Sequence, residues 1–302
     1  MQALFFICYN KNNFMISGKT KIFGIFGYPI EHTLSPLMHN SAFEYLGLDC
    51  IYLPFEVKPS DLRDAIQGMK GLNIRGINVT IPHKEEVIKY LDEVEEEGRL
   101  IGAVNTILNN QGRLIGTNTD GLGFLYALKN DLGISPSAKR IFMLGAGGAA
   151  RAILVSLAKD GAKRIVVANR SLDKGKKLIN QYREIFRSTE FIAIPLEDGV
   201  ISEYLRESDI FINATPVGMK NINVELSIPL EVLSRDSVIF DTVYNPEEPI
   251  FILRAKSLGL RCANGLGMLC YQGALSFELW TGEKAPLPLM MSVLKKHFER
   301  GD

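Results

Sequence analysis

The run Gly145-Ala146-Gly147-Gly148-Ala149-Ala150 fits G-x-G-x-x-G/A between an apolar segment and an amphipathic one. There the first glycine makes a tight turn and the second lets the backbone approach a pyrophosphate. The third position, here Ala150, has only to permit close helix–strand packing. The helix start adds unpaired N–H groups and a partial positive charge that suit an anion. For NAD, an acid about 20 residues on would accept from the ribose 2′-hydroxyl. Ala168-Asn169-Arg170-Ser171 stands there instead, with Lys174 one helical turn later. A guanidinium and an ammonium beside a hydroxyl suit a 2′-phosphate. Each such charge-assisted bond contributes roughly 1.5–3 kcal/mol, more than the ~1.4 kcal/mol of a tenfold preference. The expected cofactor is NADP(H), held by Gly145, Ala146, Gly147, Gly148, Ala149, Asn169, Arg170, Ser171 and Lys174.

Short apolar runs alternate with amphipathic stretches, the pattern of an α/β protein. Strands are expected at 21–28, 50–57 and 75–81, with helices at 35–48, at 59–70 (capped by Ser60) and from about 84 to 92. Two short strands between 103 and 117 flank a turn at Asn109-Asn110-Gln111-Gly112, and a helix follows at 121–131. After a linker at 133–137, strands at 139–144, 164–168, 191–195, 209–213, 237–241 and 260–263 read as parallel and buried. Helices are expected at 148–159, 173–182, 267–277 and 288–298. The acidic run Glu93, Glu95, Glu96 and Glu97 reads as a solvated helix end.

Several polar clusters fall where strands end, the place where open α/β sheets bind ligands. They are Gly27–Pro36 (GYPIEHTLSP), Asn78–Lys84 (NVTIPHK), Gly102–Thr106 (GAVNT) and Gly116–Gly121 (GTNTDG). Later come Asn213–Met219 (NATPVGM), Asp241–Pro246 (DTVYNP), Asn264–Gln272 (NGLGMLCYQ) and Trp280-Thr281-Gly282. In this order, from residue 24 to 282, they closely resemble the shikimate dehydrogenase family. The resemblance implies reversible NADPH-dependent reduction of 3-dehydroshikimate to shikimate, in the formation of chorismate and aromatic amino acids. It puts the catalytic pair on Lys84 and Asp120, the substrate-carboxylate hydroxyls on Thr33 and Ser35, and ring-hydroxyl contacts on Thr80, Asn105, Asp120 and Gln272. Tyr244 matches a further substrate-side position, while Thr215, Met219, Gly265 and Met268 fall on the cofactor side. One position departs: Thr33 stands where the family commonly has Ser, which keeps the hydroxyl but adds a methyl that bears on related acids such as quinate.

The residue chemistry agrees. Hydride reduction of a ketone leaves an alkoxide that needs a proton, and Lys84 can donate one or stabilise the oxyanion as a cation. Asp120 can hold that ammonium and a neighbouring hydroxyl in line. Taken singly, Lys84 is also a helix-opening residue and Asp120 an N-cap type. Rival readings are a quinate/shikimate dehydrogenase with relaxed substrate or NAD use, a tetrahydrofolate-type dehydrogenase, and a non-catalytic NADP-binding regulatory protein.

The 302 residues suggest about two domains. The expected architecture is an N-terminal α/β catalytic domain with a mixed sheet, residues 15–131 plus 265–302, and a Rossmann-type doubly wound NADP-binding domain at 132–264. Residues 1–14 read as an extension, with Met15 as the initiator. The 34 basic and 34 acidic side chains cancel. That neutral total argues against nucleic acid as a partner, although Arg151, Arg170 and Lys174 gather in the cofactor half. No apolar run reaches the ~20 residues of a membrane span. Cys8, Cys50, Cys262 and Cys270 form no C-x-x-C pair, and His32, His39 and His83 lack metal-ligand spacing. Free thiols in a reducing cytoplasm and no bound metal are therefore expected. The sequence does not choose between a monomer and a homodimer.

Overall fold

The computed structural model describes residues 16–220 and 226–299. The expected extension, its proposed initiator and Cys8 lie outside the described residues. The chain builds two six-stranded sheets. The first contains β1 (Lys21–Gly27), β2 (Cys50–Glu56), β3 (Gly76–Val79), β4 (Glu93–Val94), β5 (Thr106–Asn110) and β6 (Arg113–Thr117), in the order β2-β1-β3-β5-β6-β4. It is mixed: β1 runs parallel to β2 and β3, β4 parallel to β6, and β5 antiparallel to both β3 and β6. The β5–β6 hairpin turns at Gln111 and Gly112, both at positive φ (53° and 91°), as a two-residue turn matched to strand twist requires.

The second sheet is entirely parallel, in the order β12-β11-β10-β7-β8-β9. Its strands are β7 (Arg140–Leu144), β8 (Arg164–Ala168), β9 (Glu190–Ile194), β10 (Ile210–Asn213), β11 (Val238–Asp241) and β12 (Arg261–Ala263). β10 and β11 are buried throughout, and β7 and β8 beyond their first residue. Both sheet faces are covered, so these strands read as unbroken apolar runs rather than as alternation. The strand order reverses between β7 and β10, the switch point at which doubly wound sheets bind ligands.

Helices α1 (Ser35–Tyr45) and α2 (Leu62–Gly71) pack on the first sheet, α3 (Glu96–Ile101) lies between β6 and the second sheet's core, and α4 (Asp120–Leu132) packs against that second core. Around the second lie α5 (Gly148–Lys159), α6 (Leu172–Tyr182), α7 (Asp198–Arg206) and α8 (Ile250–Ser257). The chain then returns through α9 (Leu266–Thr281) and α10 (Leu287–Glu299). Cys270, Ala274, Phe277, Met290 and Leu294 of this return join Phe23, Met38, Phe43 and Tyr52 in one apolar core. Trp280 stacks on Phe23 at 5.3 Å between ring centroids and donates its indole N–H to the Ile107 carbonyl at 3.0 Å. A Cβ on Gly76 would collide with that indole, so a glycine in β3 makes room for the tryptophan. α4 and α9 also approach closely, since a Cβ at Gly123 would lie 2.7 Å from the Gln272 backbone nitrogen.

Two local expectations need correction, and a third, the solvated helix end, holds for all of the acidic run but Glu93. No α-helix spans 84–92; a single 3₁₀ turn covers Glu86–Tyr90. The Lys84 carbonyl accepts from the Val104 N–H at 2.8 Å, just before β5, and Asp92 is tied to Leu114 of β6 by two bonds, so both ends are already committed. The acidic run is divided between β4 and the first turn of α3, where Glu96 and Glu97 face the positive end of the helix dipole. Ser60 does not cap α2; its hydroxyl donates to Asp61 at 2.7 Å, and the helix starts after a 3₁₀ turn at Pro59–Asp61.

Candidate active site

Antiparallel pairing decides where the polar clusters meet. β5 starts where β3 ends, with Asn78 opposite Thr106, and β6 ends there too, with Thr117 opposite Thr106. The loop after β3, the residue before β5 and the loop after β6 therefore share one edge of the sheet. Lys84, Asn105 and Asp120 belong to these three segments.

Lys84 Nζ donates to Asp120 Oδ2 at 2.5 Å, with the two side chains 15% and 6% exposed. Asp120 Oδ1 accepts from Asn105 Nδ2 at 2.8 Å. The same amide lies 3.2 Å from Gln272 Oε1 on α9, 167 residues further along the chain. Gln272 is fixed in turn by donating to the Leu269 carbonyl at 2.9 Å. These four expected residues form one connected group. The Asp120 carboxylate can orient the Lys84 ammonium on one side while Asn105 and Gln272 offer amides to neighbouring hydroxyls.

Thr33, Ser35 and Thr80 stand on the adjoining loops, after β1 and β3. The Ser35 backbone N–H donates to Thr33 Oγ1 at 3.4 Å, and the Thr80 N–H to the Phe26 carbonyl at 2.9 Å. The Ser35 hydroxyl bonds the Tyr52 phenol, whose O–H donates to Asn78 Oδ1 at 2.7 Å. Asn78 Nδ2 reaches the Asn105 carbonyl, Thr106 Oγ1 and Ser276 Oγ at 3.0–3.2 Å. A buried polar network thus runs beneath the site from Ser35 to Asn105. Tyr52, Asn78, Thr106, Thr119 and Ser276 were not among the expected site residues. The available signals were a polar Asn78 inside the apolar strand GINV and a Ser276 one turn after Gln272 on a mostly apolar helix. Fully buried His39 stacks on the Tyr52 ring at 4.3 Å, and burial lowers its pKa to about 3, so it is neutral packing.

The second sheet presents the glycine-rich turn after β7. Gly145 has φ 111°, and a Cβ there would lie 2.8 Å from the Ala214 carbonyl and from Thr215 Cγ2. Only glycine fits this cradle. Gly147 caps α5 in an extended conformation, and a Cβ on Gly148 would lie 3.4 Å from Lys84 Cβ. The turn therefore abuts the candidate catalytic lysine. Ala146 and Ala149 flank it. Beyond β8, the Asn169 amide donates to the Ser171 carbonyl at 2.9 Å, Ser171 caps α6 by accepting from the Lys174 N–H, and Arg170 and Lys174 are exposed. The glycine cradle, a twelve-residue helix aimed from it and two exposed cations suit the pyrophosphate and 2′-phosphate of NADP(H). Arg151 does not join those cations; its guanidinium turns to Gln181 and Glu85.

Thr215 donates its hydroxyl to Asn213 Oδ1 at 2.6 Å and accepts from the Val217 N–H, shaping the loop that ends at Met219. Asn213 also donates to Asp241 Oδ1 at 2.8 Å, tying neighbouring strand ends. Burial pushes the Asp241 carboxyl up to about 7. Met219 is exposed, whereas Met268 packs into the core shared by α4, α5 and β7. Gly265 lies against the Thr242 carbonyl, leaving no room for a side chain. Tyr244 packs against the core beneath α1 and α9, and burial pushes its phenol up to about 12, keeping it a neutral donor. Cys50, Cys262 and Cys270 are free thiols. A separate cavity of about 400 Å³ among Lys139, Arg140, Arg206 and Arg261 opens at the amino-terminal ends of the second sheet's strands, away from the glycine-rich turn.

This chain is similar to known proteins over most of its length. Three family models match: the shikimate dehydrogenase substrate binding domain over residues 25–107, shikimate/quinate 5-dehydrogenase over 128–236, and the shikimate 5′-dehydrogenase C-terminal domain over 265–295. A shikimate dehydrogenase (NADP(+)) from Desulforamulus reducens is 45% identical across 95% of this chain and 98% of its own. A crystal structure of a shikimate dehydrogenase in complex with NADP+ superimposes with a TM-score of 0.85 at 43% identity, covering 94% of this chain and 98% of that one. The Thermus thermophilus shikimate 5-dehydrogenase, in complex with NADP(H) and shikimate, gives 0.81 at 36% identity over 91% and 99%. With relatives this similar over nearly its whole length, the chain belongs to the shikimate dehydrogenase family.

Proposed function

We propose that this chain catalyses the reversible NADPH-dependent reduction of 3-dehydroshikimate to shikimate, a step toward chorismate and the aromatic amino acids. The observation that carries the reading is the Lys84–Asp120 ion pair at 2.5 Å, set against Gly148, where the glycine-rich turn passes into α5. NADPH, when bound, supplies the hydride. Lys84 donates the proton that the carbonyl oxygen acquires as it becomes an alcohol, and takes it back in the reverse direction. Its positive charge stabilises the oxygen as charge develops there. Asp120 keeps the ammonium aimed and, with Asn105 and Gln272, receives the ring hydroxyls. Thr33 and Ser35 bind the substrate carboxylate, Thr80 joins the ring-hydroxyl contacts, and Tyr244 completes the substrate wall. Gly145, Ala146, Gly147, Gly148 and Ala149 hold the pyrophosphate. Asn169, Arg170, Ser171 and Lys174 hold the 2′-phosphate, and Thr215, Met219, Gly265 and Met268 form the nicotinamide side.

In this reading the catalytic domain comprises 15–131 and the returning 265–302, with the cofactor domain between them, so that closure brings reacting atoms to about 3–3.5 Å. Free thiols suit a reducing cytoplasm; among the described residues no helix is long and apolar enough to cross a membrane. The test is oxidation of shikimate and of quinate, each with NADP and with NAD, followed as reduced cofactor at 340 nm. The shikimate–NADP pair is expected to dominate. No NADPH formation from shikimate refutes the function, and equal rates with NAD refute the cofactor preference.

A further inference from the structure

Arg151 plays no part in the steps above, yet its guanidinium crosses from the cofactor helix to the Lys84 segment. It lies one turn into α5, three residues after Gly148, with its side chain 12% exposed. Nη1 donates to Gln181 Oε1 on α6 at 2.6 Å. Nη2 lies 3.5 Å from Glu85 Oε2, the carboxylate next in sequence after Lys84. Nη1 also faces the left-handed C-cap of α3, where a Cβ on Gly102 would be 3.7 Å away. Beside it the Tyr182 phenol donates to the Ile101 carbonyl at 2.7 Å. α5 and α6 thus grip the end of α3 and the residue after Lys84 at one point.

The energetics do not explain this placement as a device for stability. Arg151 Nε is buried without a protein partner, and the Glu85 carboxylate is half exposed and at long range. The buried cation is held chiefly by neutral partners, Gln181 and the Tyr182 phenol, and its long ion pair with half-exposed Glu85 adds little net stability. What the bridge does provide is geometry, because it spans the contact at which Gly148 meets Lys84. We propose that Arg151 is a positioning residue: by joining α5 to Glu85 it sets how Lys84 stands over the glycine-rich turn, and so aligns the ammonium with the hydride donor. The inference rests on the reading of Lys84 as the proton donor. Alignment of this kind governs turnover more than binding, since displacements on the order of 1 Å can cost about 100-fold in rate.

The test is steady-state shikimate oxidation by Arg151→Met, Arg151→Lys, Glu85→Ala and the Arg151→Met/Glu85→Ala double variant, with Lys84→Met as reference. Arg151→Met is expected to lower kcat about tenfold while both Michaelis constants stay within about twofold. Arg151→Lys is expected to recover about half of that loss on a logarithmic scale, keeping the charge without the fork. Glu85→Ala should lower kcat about threefold, and the double variant should be no slower than Arg151→Met, because both remove one bridge. Multiplicative losses in the double variant, an effect confined to the NADP Michaelis constant, or unchanged kcat in the single variants overturns the proposal. Should Arg151→Met fail to fold, half-exposed Glu85→Ala decides alone, and unchanged turnover there overturns it. Full activity in Lys84→Met defeats the catalytic reading itself. Silent Arg151 and Glu85 variants beside an inactive Lys84→Met defeat only the bridge.

Discussion

Replacing Asp120 by Asn keeps the size of the side chain and removes its charge, so it isolates what the carboxylate does for Lys84. The carboxylate accepts from Lys84 at 2.5 Å on Oδ2 and from Asn105 at 2.8 Å on Oδ1. An Asn that still accepts from Asn105 turns its own NH₂ toward the ammonium, donor against donor. At 2.5 Å the Coulomb attraction lost is about 7 kcal/mol at an effective dielectric constant of about 20, much of which had repaid desolvation. Breaking one partner of such a buried pair costs about 3–5 kcal/mol net. For a chain this long that predicts a fall in Tm of roughly 6–20 °C, at about 2–4 °C per kcal/mol. Turnover should drop about 100-fold or more, since the general acid loses its orientation. The assay is a melting curve paired with NADPH formation from shikimate at 340 nm. A Lys84→Met/Asp120→Asn double variant sharpens it: removing both charges should restore stability to within about 1 kcal/mol of the parent, with turnover still lost. A single variant that melts within about 2 °C of the parent and turns over within about threefold of it would show that the pair neither stabilises nor aligns.

Two other perturbations separate the cofactor side from the fold. Arg170→Ala should raise the NADPH Michaelis constant about tenfold and leave NADH nearly unchanged, because only the 2′-phosphate needs the guanidinium; equal effects on both cofactors defeat the assignment. Burial raises the Asp241 carboxyl from its ordinary 3.8 to about 7, so between those values the folded chain holds a proton that the unfolded chain has released. Stability must therefore fall as pH rises through that window, by up to about 1.4 kcal/mol per pH unit. Asp241→Asn should flatten this slope in urea unfolding measured at pH 5 and pH 8; an unchanged slope removes Asp241 as its source.

Local patterns carried much of the architecture. α5 and β8 fall where glycine-rich turn chemistry and an unbroken apolar run put them, because both depend on residues adjacent in sequence. The segment at 84–92 has helical composition, but Lys84 is claimed by Val104, just before β5, and Asp92 by Leu114 of β6, both later in the chain. Lys84, Asn105, Asp120 and Gln272 were legible because the resemblance assigned them individually, although their meeting depends on antiparallel pairing and on α9 returning to the first sheet. The Ser35–Tyr52–Asn78 network showed locally only as a polar Asn78 inside an apolar strand, and the Arg151–Glu85 bridge had no local signature. Each joins residues whose proximity is created only by packing, and a polar side chain in a core looks in sequence like one on a surface.

The most direct test of the account is the turnover of Lys84→Met in shikimate oxidation by NADP. The account predicts a kcat about 100-fold or more below the parent, with the shikimate Michaelis constant changed less than about threefold, because the ammonium acts on the proton and not chiefly on binding. A kcat within about threefold of the parent would contradict it and move the proton transfer to another group.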